Sequence, residues 1–210
     1  MKEDGGLVAG RVQRRRPPDR RQQLLAIAGE LFAQAGFEAT SMRDIAAATG
    51  MTPAALYHHF ASKEQLFIAV EEASIAKILD RVQAAIAGET DPEARFRAAL
   101  VAQVEATLDK EGFPVLVAFT FPPAISAAGQ AALADQRRGY ENLMAGLIAG
   151  LSLPPGIDPV IFRKHVLGAL NWIALWYRAD GSLRPAQIAE QLAAMVGYGA
   201  PAQVAPGRLI

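Results

Sequence analysis

The sequence contains no cysteine among its 210 residues. Disulfides and cysteine-ligated metal sites are therefore excluded, and a reducing compartment fits the composition. The first eighteen residues lack the apolar run of a secretory signal. No segment reaches the roughly 20 apolar residues of a membrane-spanning helix, and the longest apolar run, residues 166–177, contains Asn171. We therefore expect a soluble, cytoplasmic protein with no membrane contact.

β-branched residues are sparse outside short runs, whereas alanine is abundant. Hydrophobic residues make up 51% of the chain and charged residues 20%, a balance that excludes a disordered polypeptide. Alanine is the strongest helix former, and β-branched residues favour strands. The composition therefore predicts an all-α globular protein.

The chain has no net charge, which by itself argues against a nucleic-acid partner. The charges are unevenly distributed, however. Residues 1–63 hold nine Lys/Arg and six acids, and six of the arginines lie between Arg11 and Arg21 against a single acid. A basic end on a neutral protein suits contact with phosphates, and it equally suits a solvated tail.

Capping and breaking residues predict about nine helices and no strand. Helix starts are indicated by Ser41 with Asp44, by Thr52-Pro53 and by Ser62 with Gln65, which follow the S-x-x-D/E/Q or hydroxyl-proline pattern. Glycines and prolines mark the ends. The predicted helices cover residues 18–35, 41–50, 52–59, 62–87, 91–109, 112–121, 126–151, 158–178 and 185–196.

The first three predicted helices have the layout of a helix-turn-helix, in which the later helix of a pair enters the major groove of DNA. Gly50 permits the tight turn between the second and third helices. The third helix begins with small residues that allow close approach to DNA, and Tyr57, His58 and Lys63 supply hydrogen-bond donors. Ile45, Ala46, Leu56 and Phe60 are spaced to bury one face of each helix.

Enzymatic sites are not apparent. There is no Ser/His/Asp set, pair of carboxylates in a turn, phosphate-binding glycine loop or cluster of metal ligands. His58 and His59 are adjacent, so they point apart on a helix, and the third histidine, His165, is distant in sequence. We expect no catalytic activity, no metal and no cofactor.

The segment T-S-M-R-D-I-A-A-A-T-G-M-T-P-A-A-L-Y-H-H-F-A-S-K-E-Q-L, residues 40–66, resembles the DNA-binding segment of the TetR family of repressors. The stretch L-Y-H-H-F-x-S-K-E-x-L is far more specific than a generic helix-turn-helix pattern. The resemblance is close over about residues 19–70, and the total of nine helices matches the family's plan. It implies operator contacts from Thr40, Arg43, Thr52, Ala54, Tyr57, His58 and Lys63, the lysine touching phosphate.

Several of these residues have a second interpretation. Arg43 also has the acids Glu38 and Asp44 as possible partners, and Tyr57 also suits packing on the first helix. Motif position favours His58 over His59 for DNA contact. The arginines between residues 11 and 21 suit minor-groove or backbone contact, or a basic tail that adds only non-specific affinity.

The resemblance implies four parts: a flexible basic arm at residues 1–17, the helix-turn-helix domain at 18–66, a bundle for ligand binding and dimerisation at 67–198, and a loose tail at 199–210. Between residues 166 and 177 apolar side chains cover nearly every helical face, which predicts burial on all sides. A four-helix interface with Ile188, Leu192, Met195 and Val196 of a homodimer fits this pattern, as does a central helix of a monomer.

Apolar side chains also suggest an effector cavity in the bundle, although each suits an ordinary core equally well. They are Phe96, Leu100, Phe113, Val117, Phe119, Phe121, Leu143 and Trp172. The segment L-N-W-I-A-L-W-Y-R-A-D-G-S-L-R-P-A-Q-I-A, residues 170–189, is similar to TetR members linked to fatty-acid, branched acyl or sterol catabolism, several of which sense acyl-CoA thioesters. Arg178 and Arg184 suit either a phosphate or a helix end.

The resemblance thus implies a repressor that binds a palindromic operator in double-stranded DNA and is released when a small hydrophobic effector, such as an acyl-CoA, shifts the fourth helix. Such release requires that the effector bind the two states with different affinity. An activator of the same fold, or a dimeric adaptor that does not bind DNA, is the alternative.

Overall fold

The computed structural model describes residues 20–109 and 124–197. Within these ranges the chain forms eight α-helices and no strand. They are α1 (Arg20–Ala35), α2 (Met42–Ala48), α3 (Pro53–His59), α4 (Lys63–Ile86), α5 (Pro92–Leu108), α6 (Ala127–Ala149), α7 (Pro159–Trp176) and α8 (Pro185–Met195). The all-α prediction is confirmed. The helix predicted at residues 112–121, the arm and the tail lie outside the described residues.

Local capping sets most of the helix starts. The Ser41 hydroxyl accepts from the Asp44 amide at 3.2 Å while the Asp44 carboxylate accepts from the Ser41 amide at 3.0 Å, which completes the predicted capping box of α2. At α4 only half of the predicted box forms. Ser62 caps Gln65, but the Gln65 side chain accepts from the amide of Ala61, one residue further upstream than the motif requires.

Two turns in the N-terminal part need backbone angles that favour glycine. Gly36, after α1, has φ 83°, and Gly50, between α2 and α3, has φ 65°. Both residues follow the last turn of a helix, where a left-handed residue terminates the hydrogen-bonding pattern. The predicted sharp turn at Gly50 is therefore confirmed.

The buried hydrophobic side chains form two clusters. The head cluster joins α1, α2, α3 and the first turns of α4, with the aromatic rings of Phe32, Phe37 and Phe67 packed together at centroid distances of 5.1 to 5.8 Å. Ile125 and Leu133, at the start of α6, complete it. The bundle cluster joins the remainder of α4 with α5, α6, α7 and α8.

The helices of the bundle pack around α5. It contacts α4, α7 and α8, while α6 lies against α4 and α7. Both α4 and α6 contribute to the two clusters and therefore connect the head to the bundle. Within the ranges that the structure covers, none of the helices combines the length and the apolar character needed to cross a bilayer.

Candidate DNA-binding surface and effector domain

Helices α2 and α3 pack in the head through the side chains that the sequence pattern predicted to be buried. Ile45, Ala46, Leu56 and Phe60 are all buried in the head cluster, as predicted. The Arg21 guanidinium lies 5.9 Å from the centre of the Phe60 ring, so α1 also covers the end of α3. The two short helices therefore have one fixed face and one face open to solvent.

The open face carries five of the seven predicted DNA-contacting residues. Arg43, Thr52, Ala54, Tyr57 and His58 are exposed, and Tyr57 keeps 52% of its surface. Thr52 also caps α3, since its hydroxyl oxygen accepts from the Ala55 amide at 3.2 Å. Its own hydroxyl proton is left available for donation, as a contact to phosphate or a base edge requires.

Arg43 does not pair with the neighbouring acids. The Asp44 carboxylate is engaged with Ser41, and these hydrogen bonds hold the pKa of Asp44 below its ordinary value. No ion pair involves Arg43 within residues 20–109 and 124–197. The Arg43 side chain is exposed to solvent.

Thr40 and Lys63 are placed differently from the other five. Thr40 is only 3% exposed, and its hydroxyl donates to the carbonyl of Gly36 at 2.7 Å. The Lys63 ammonium donates to the carbonyls of Phe37, Glu38 and Thr40 at 2.6, 3.3 and 2.9 Å and lies 4.3 Å from the centre of the Phe37 ring. Since an ammonium has three N–H donors, all are used. Direct DNA contact by these two side chains stays a prediction, and in the structure they fix the turn between α1 and α2.

The two adjacent histidines of α3 are separate from each other and from other candidate metal ligands. His58 and His59 are both exposed, with ring centres 6.0 Å apart. Across the described part of the chain, no group of three or more His, Asp or Glu side chains is arranged to hold an ion.

The predicted effector-cavity residues that the structure describes are not gathered at one place. Phe96 and Leu100 of α5 are fully buried in the bundle cluster, whereas Trp172 of α7 is 55% exposed on the outer side of the bundle. Leu143 of α6 is half-buried and lines an open cavity of about 460 Å³ between the start of α5 and the end of α6. Phe113, Val117, Phe119 and Phe121 lie outside the described residues. The cavity assignment therefore stays a prediction.

Buried polar side chains in the bundle are a feature that the sequence reasoning missed. Glu71 of α4 is 3% exposed, and burial raises its pKa to about 7 despite the opposing charge of Arg137, whose Nη2 lies 3.9 Å from Oε2. Burial likewise raises the pKa of the Tyr140 hydroxyl. Gln103 of α5 is also buried. Helical periodicity could have predicted the burial of Glu71, because this residue falls four positions after Phe67 on the apolar face of α4.

The arginines near the end of the bundle have local partners. Arg178 pairs with Asp180 through two hydrogen bonds of 3.2 and 2.9 Å. Arg184 occupies the position before α8, where its backbone amide donates to Gln187. Arg178 thus follows the end of α7 and Arg184 precedes the start of α8, and a phosphate contact by either stays a prediction.

The outer faces of α7 and α8 expose apolar side chains. Nine residues of α7 are exposed. Five of them follow a spacing of three or four residues, namely Ile161, His165, Gly168, Trp172 and Leu175; the other four are Pro159, Val160, Lys164 and Trp176. On α8 the large apolar side chain that points outward is Met195, which is 80% exposed. Ile188, Leu192 and Val196, which the sequence assigned to the same interface, instead pack on the protein's own bundle cluster because α8 lies against α5.

Comparison with known proteins agrees with this architecture. Residues 24–70 match the family described as bacterial regulatory proteins, tetR family, and residues 89–199 match the tetracyclin repressor-like C-terminal domain. The transcriptional repressor KstR2 of Mycolicibacterium smegmatis is 27% identical over 186 residues, which cover 86% of this chain and 90% of the relative.

Solved structures give the same result. AibR in complex with isovaleryl coenzyme A and operator DNA superposes with a TM-score of 0.77 at 26% identity, covering 87% of this chain and 100% of that one. The regulator PfmR from Thermus thermophilus superposes with a TM-score of 0.71 at 26% identity, covering 84% and 98%. The chain belongs to the TetR family of transcriptional regulators.

Proposed function

We propose that this protein is a cytoplasmic repressor that binds a palindromic operator as a homodimer and is released by an acyl-CoA thioester. The observation that carries the DNA-binding part is the open face of α2 and α3. Five exposed residues able to reach DNA lie there on helices whose opposite faces are fixed in the head cluster. A rigid reading surface of this kind is what major-groove recognition requires.

The exposed stripe on α7 supports the dimer. Ile161, Gly168 and Leu175 repeat every seven residues, with His165 and Trp172 between them, which is the spacing of a helix that packs along a second helix. Gly168 has no neighbour within 4 Å of the position where a side chain would begin, so a partner helix can approach closely there. A two-fold dimer would place two α3 helices for the two halves of a palindrome.

The effector class is supported by similarity. AibR binds isovaleryl coenzyme A, and the segment at residues 170–189 resembles regulators of acyl and sterol catabolism. KstR2 relatives are repressors, which supports release from DNA as the response. The relatives are transcriptional regulators, and we propose no catalytic activity.

Gel shifts test this proposal, using the full-length protein with DNA from upstream of its own gene. We expect a shift that weakens as salt rises, because phosphate contacts release counterions. Isovaleryl-CoA and longer acyl-CoAs should reverse the shift, whereas free CoA and free fatty acids at equal concentration should not. Absence of any salt-dependent shift would reject the repressor. A shift reversed only by hydrophobic cations would reject the acyl-CoA.

A reporter gene behind the same upstream DNA tests the sign of regulation. We expect expression to rise when the regulator is deleted. A fall in expression would instead identify an activator.

A further inference from the structure

Hydrogen bonds between Glu64, at the start of α4, and Ser126, at the start of α6, join the two helices; we call this contact the carboxylate clasp. Glu64, in the first turn of α4, accepts a hydrogen bond from the Ser126 hydroxyl at 2.5 Å and another from the Ser126 amide at 3.3 Å. Ser126 caps α6, and its hydroxyl oxygen accepts from the Gly129 amide at 3.1 Å. A chain of hydrogen bonds therefore runs from the α4 carboxylate into the first turn of α6.

The physical chemistry of this contact favours a strong interaction. An ionised acceptor makes shorter and stronger hydrogen bonds than a neutral one. The carboxylate also lies at the positive end of α6, a helix of 23 residues, where a negative charge is stabilised. Both features favour the contact between Glu64 and Ser126.

Gly129 makes room for the clasp. A Cβ atom built on Gly129 would lie 2.2 Å from Oε1 of Glu64 and 2.8 Å from Cγ2 of Ile125. Any larger residue at this position would displace the carboxylate from Ser126. Within α6 this glycine costs helix stability, so its presence is explained by the approach of Glu64.

The position of Glu64 connects the clasp to the DNA-reading surface. The neighbouring Lys63 holds the turn before α2, and only Phe60, Ala61 and Ser62 separate α3 from α4. At its other end α6 packs in the bundle cluster through Met144, Leu147 and Ile148. The contacts of α6 therefore extend from the bundle cluster to the first turn of α4, which three residues separate from the end of α3.

We propose that Glu64 is a positioning residue that couples the bundle to the head, with α6 acting through Ser126 and Gly129 as the coupling element. The clasp holds the head in one orientation relative to the bundle in the free protein. That this orientation matters for operator binding rests on the proposed function. That the clasp holds the orientation does not.

The orientation is measurable by spin labelling, because the chain has no cysteine of its own. Labels at Gln34→Cys in α1 and Glu93→Cys in α5, both exposed positions, report the distance between head and bundle. Labelled full-length protein is diluted into unlabelled protein, so that only distances within one chain are seen. The readout is the width and centre of the distance distribution.

Glu64→Ala should broaden or shift this distribution, and Glu64→Gln, which keeps one acceptor oxygen but loses the charge and the second acceptor, should give a smaller change in the same direction. Gly129→Ala should act like Glu64→Ala on the distribution, and its melting temperature should fall, because the added methyl meets Ile125 as well as Glu64 and the helix preference of alanine offsets only part of that cost. The matched control is Glu190→Ala, which removes a carboxylate that accepts two hydrogen bonds from Arg97 on the surface of the bundle, between α8 and α5. It should leave the distribution unchanged.

Operator affinity gives the second readout. Glu64→Ala and Gly129→Ala should weaken binding of the upstream DNA by about five-fold or more, because the freed head must be ordered on binding. Wild-type distance distributions in both variants would overturn the proposal, and Gly129→Ala decides alone if Glu64→Ala fails to fold. A wild-type protein that does not bind the DNA would reject the repressor, but the distance measurement would still test the clasp.

Discussion

The ammonium of Lys63 lies 2.6 Å from the carbonyl oxygen of Phe37, a residue 26 positions earlier in the chain. Together with the carbonyls of Glu38 and Thr40, this contact ties the first turn of α4 to the loop that precedes α2. The residue that the family resemblance assigned to phosphate therefore acts within the head itself.

Replacing Lys63 should destabilise the head. Lys63→Met keeps the apolar stem but removes three charge-assisted donations, so the free energy of unfolding in urea should fall by about 1.5–3 kcal/mol. Lys63→Arg should not restore it, because a planar guanidinium cannot converge on three carbonyls. Lys164→Met, at an exposed pair with Glu141, is the control and should change stability by less than about 0.5 kcal/mol. A Lys63→Met protein of full stability that no longer binds DNA would instead support the phosphate contact.

Tyr57 should affect DNA binding without affecting the fold. The residue is 52% exposed on α3, so Tyr57→Ala should change stability by no more than about 0.5 kcal/mol. Operator binding should weaken by about 1–3 kcal/mol if the side chain reaches a base edge or phosphate. His59→Ala, on the same helix, is the comparison and should bind nearly as well as wild type. Equal losses from both variants would contradict the assignment of the DNA-facing side.

Glu71 should make stability fall as the pH rises. Burial raises its pKa from the ordinary 4.5 to about 7, so the folded protein binds this proton more tightly than the unfolded chain. The stabilisation that comes from the protonated Glu71 carboxyl is complete below pH 4.5 and is lost as the pH rises through about 7. At pH 8, Glu71→Gln should therefore be more stable than wild type, by up to about 3 kcal/mol.

Urea unfolding between pH 5 and pH 8 measures this effect, and Glu72→Gln is the exposed neighbouring control. The control should follow the wild-type pH dependence. A Glu71→Gln curve that runs parallel to wild type over the whole range would show that the carboxyl does not titrate there.

Trp172 should control the oligomeric state. Trp172→Asp places a charge in the exposed stripe of α7, where a partner helix would have to bury it. In sedimentation velocity we expect a dimer for wild type and a monomer for the variant, with an unchanged far-UV circular dichroism spectrum. Ala84→Asp adds the same charge at an exposed position of α4 and should remain dimeric. A dimeric Trp172→Asp would place the interface elsewhere.

The helix starts were the most predictable part of the structure. Ser41 with Asp44, Thr52 with Pro53, and Asp158 with Pro159 each cap a helix at the predicted residue or the one after it. These signals act over three or four residues, so they are visible in the sequence itself. The burial of Ile45 and Leu56 followed from helical periodicity for the same reason.

Contacts over long sequence separations were not predictable. Nothing local indicates that Lys63 reaches the carbonyl of Phe37, or that Glu64 meets Ser126, 62 residues later. On α7 the apolar residues surround the helix, so periodicity could not distinguish the buried Ile173 from the exposed Trp172. The sequence also could not predict that α8 packs on α5, because an apolar residue such as Ile188 suits an internal core as well as a subunit interface.

Helix α6 contributes to both the head cluster and the bundle cluster, and this limits how the DNA-binding and effector domains of the family can be exchanged. The DNA-reading part does not end where its contiguous sequence ends, because its hydrophobic interior is closed by Ile125 and Leu133 from well beyond α4. A chain cut after Val70 would lack those two side chains and would leave part of the head cluster uncovered. A chimaera that joins this DNA-binding head to another effector domain therefore needs the first half of α6 as well. A single breakpoint in the gene cannot transfer the whole head, because its core includes residues from two separate segments.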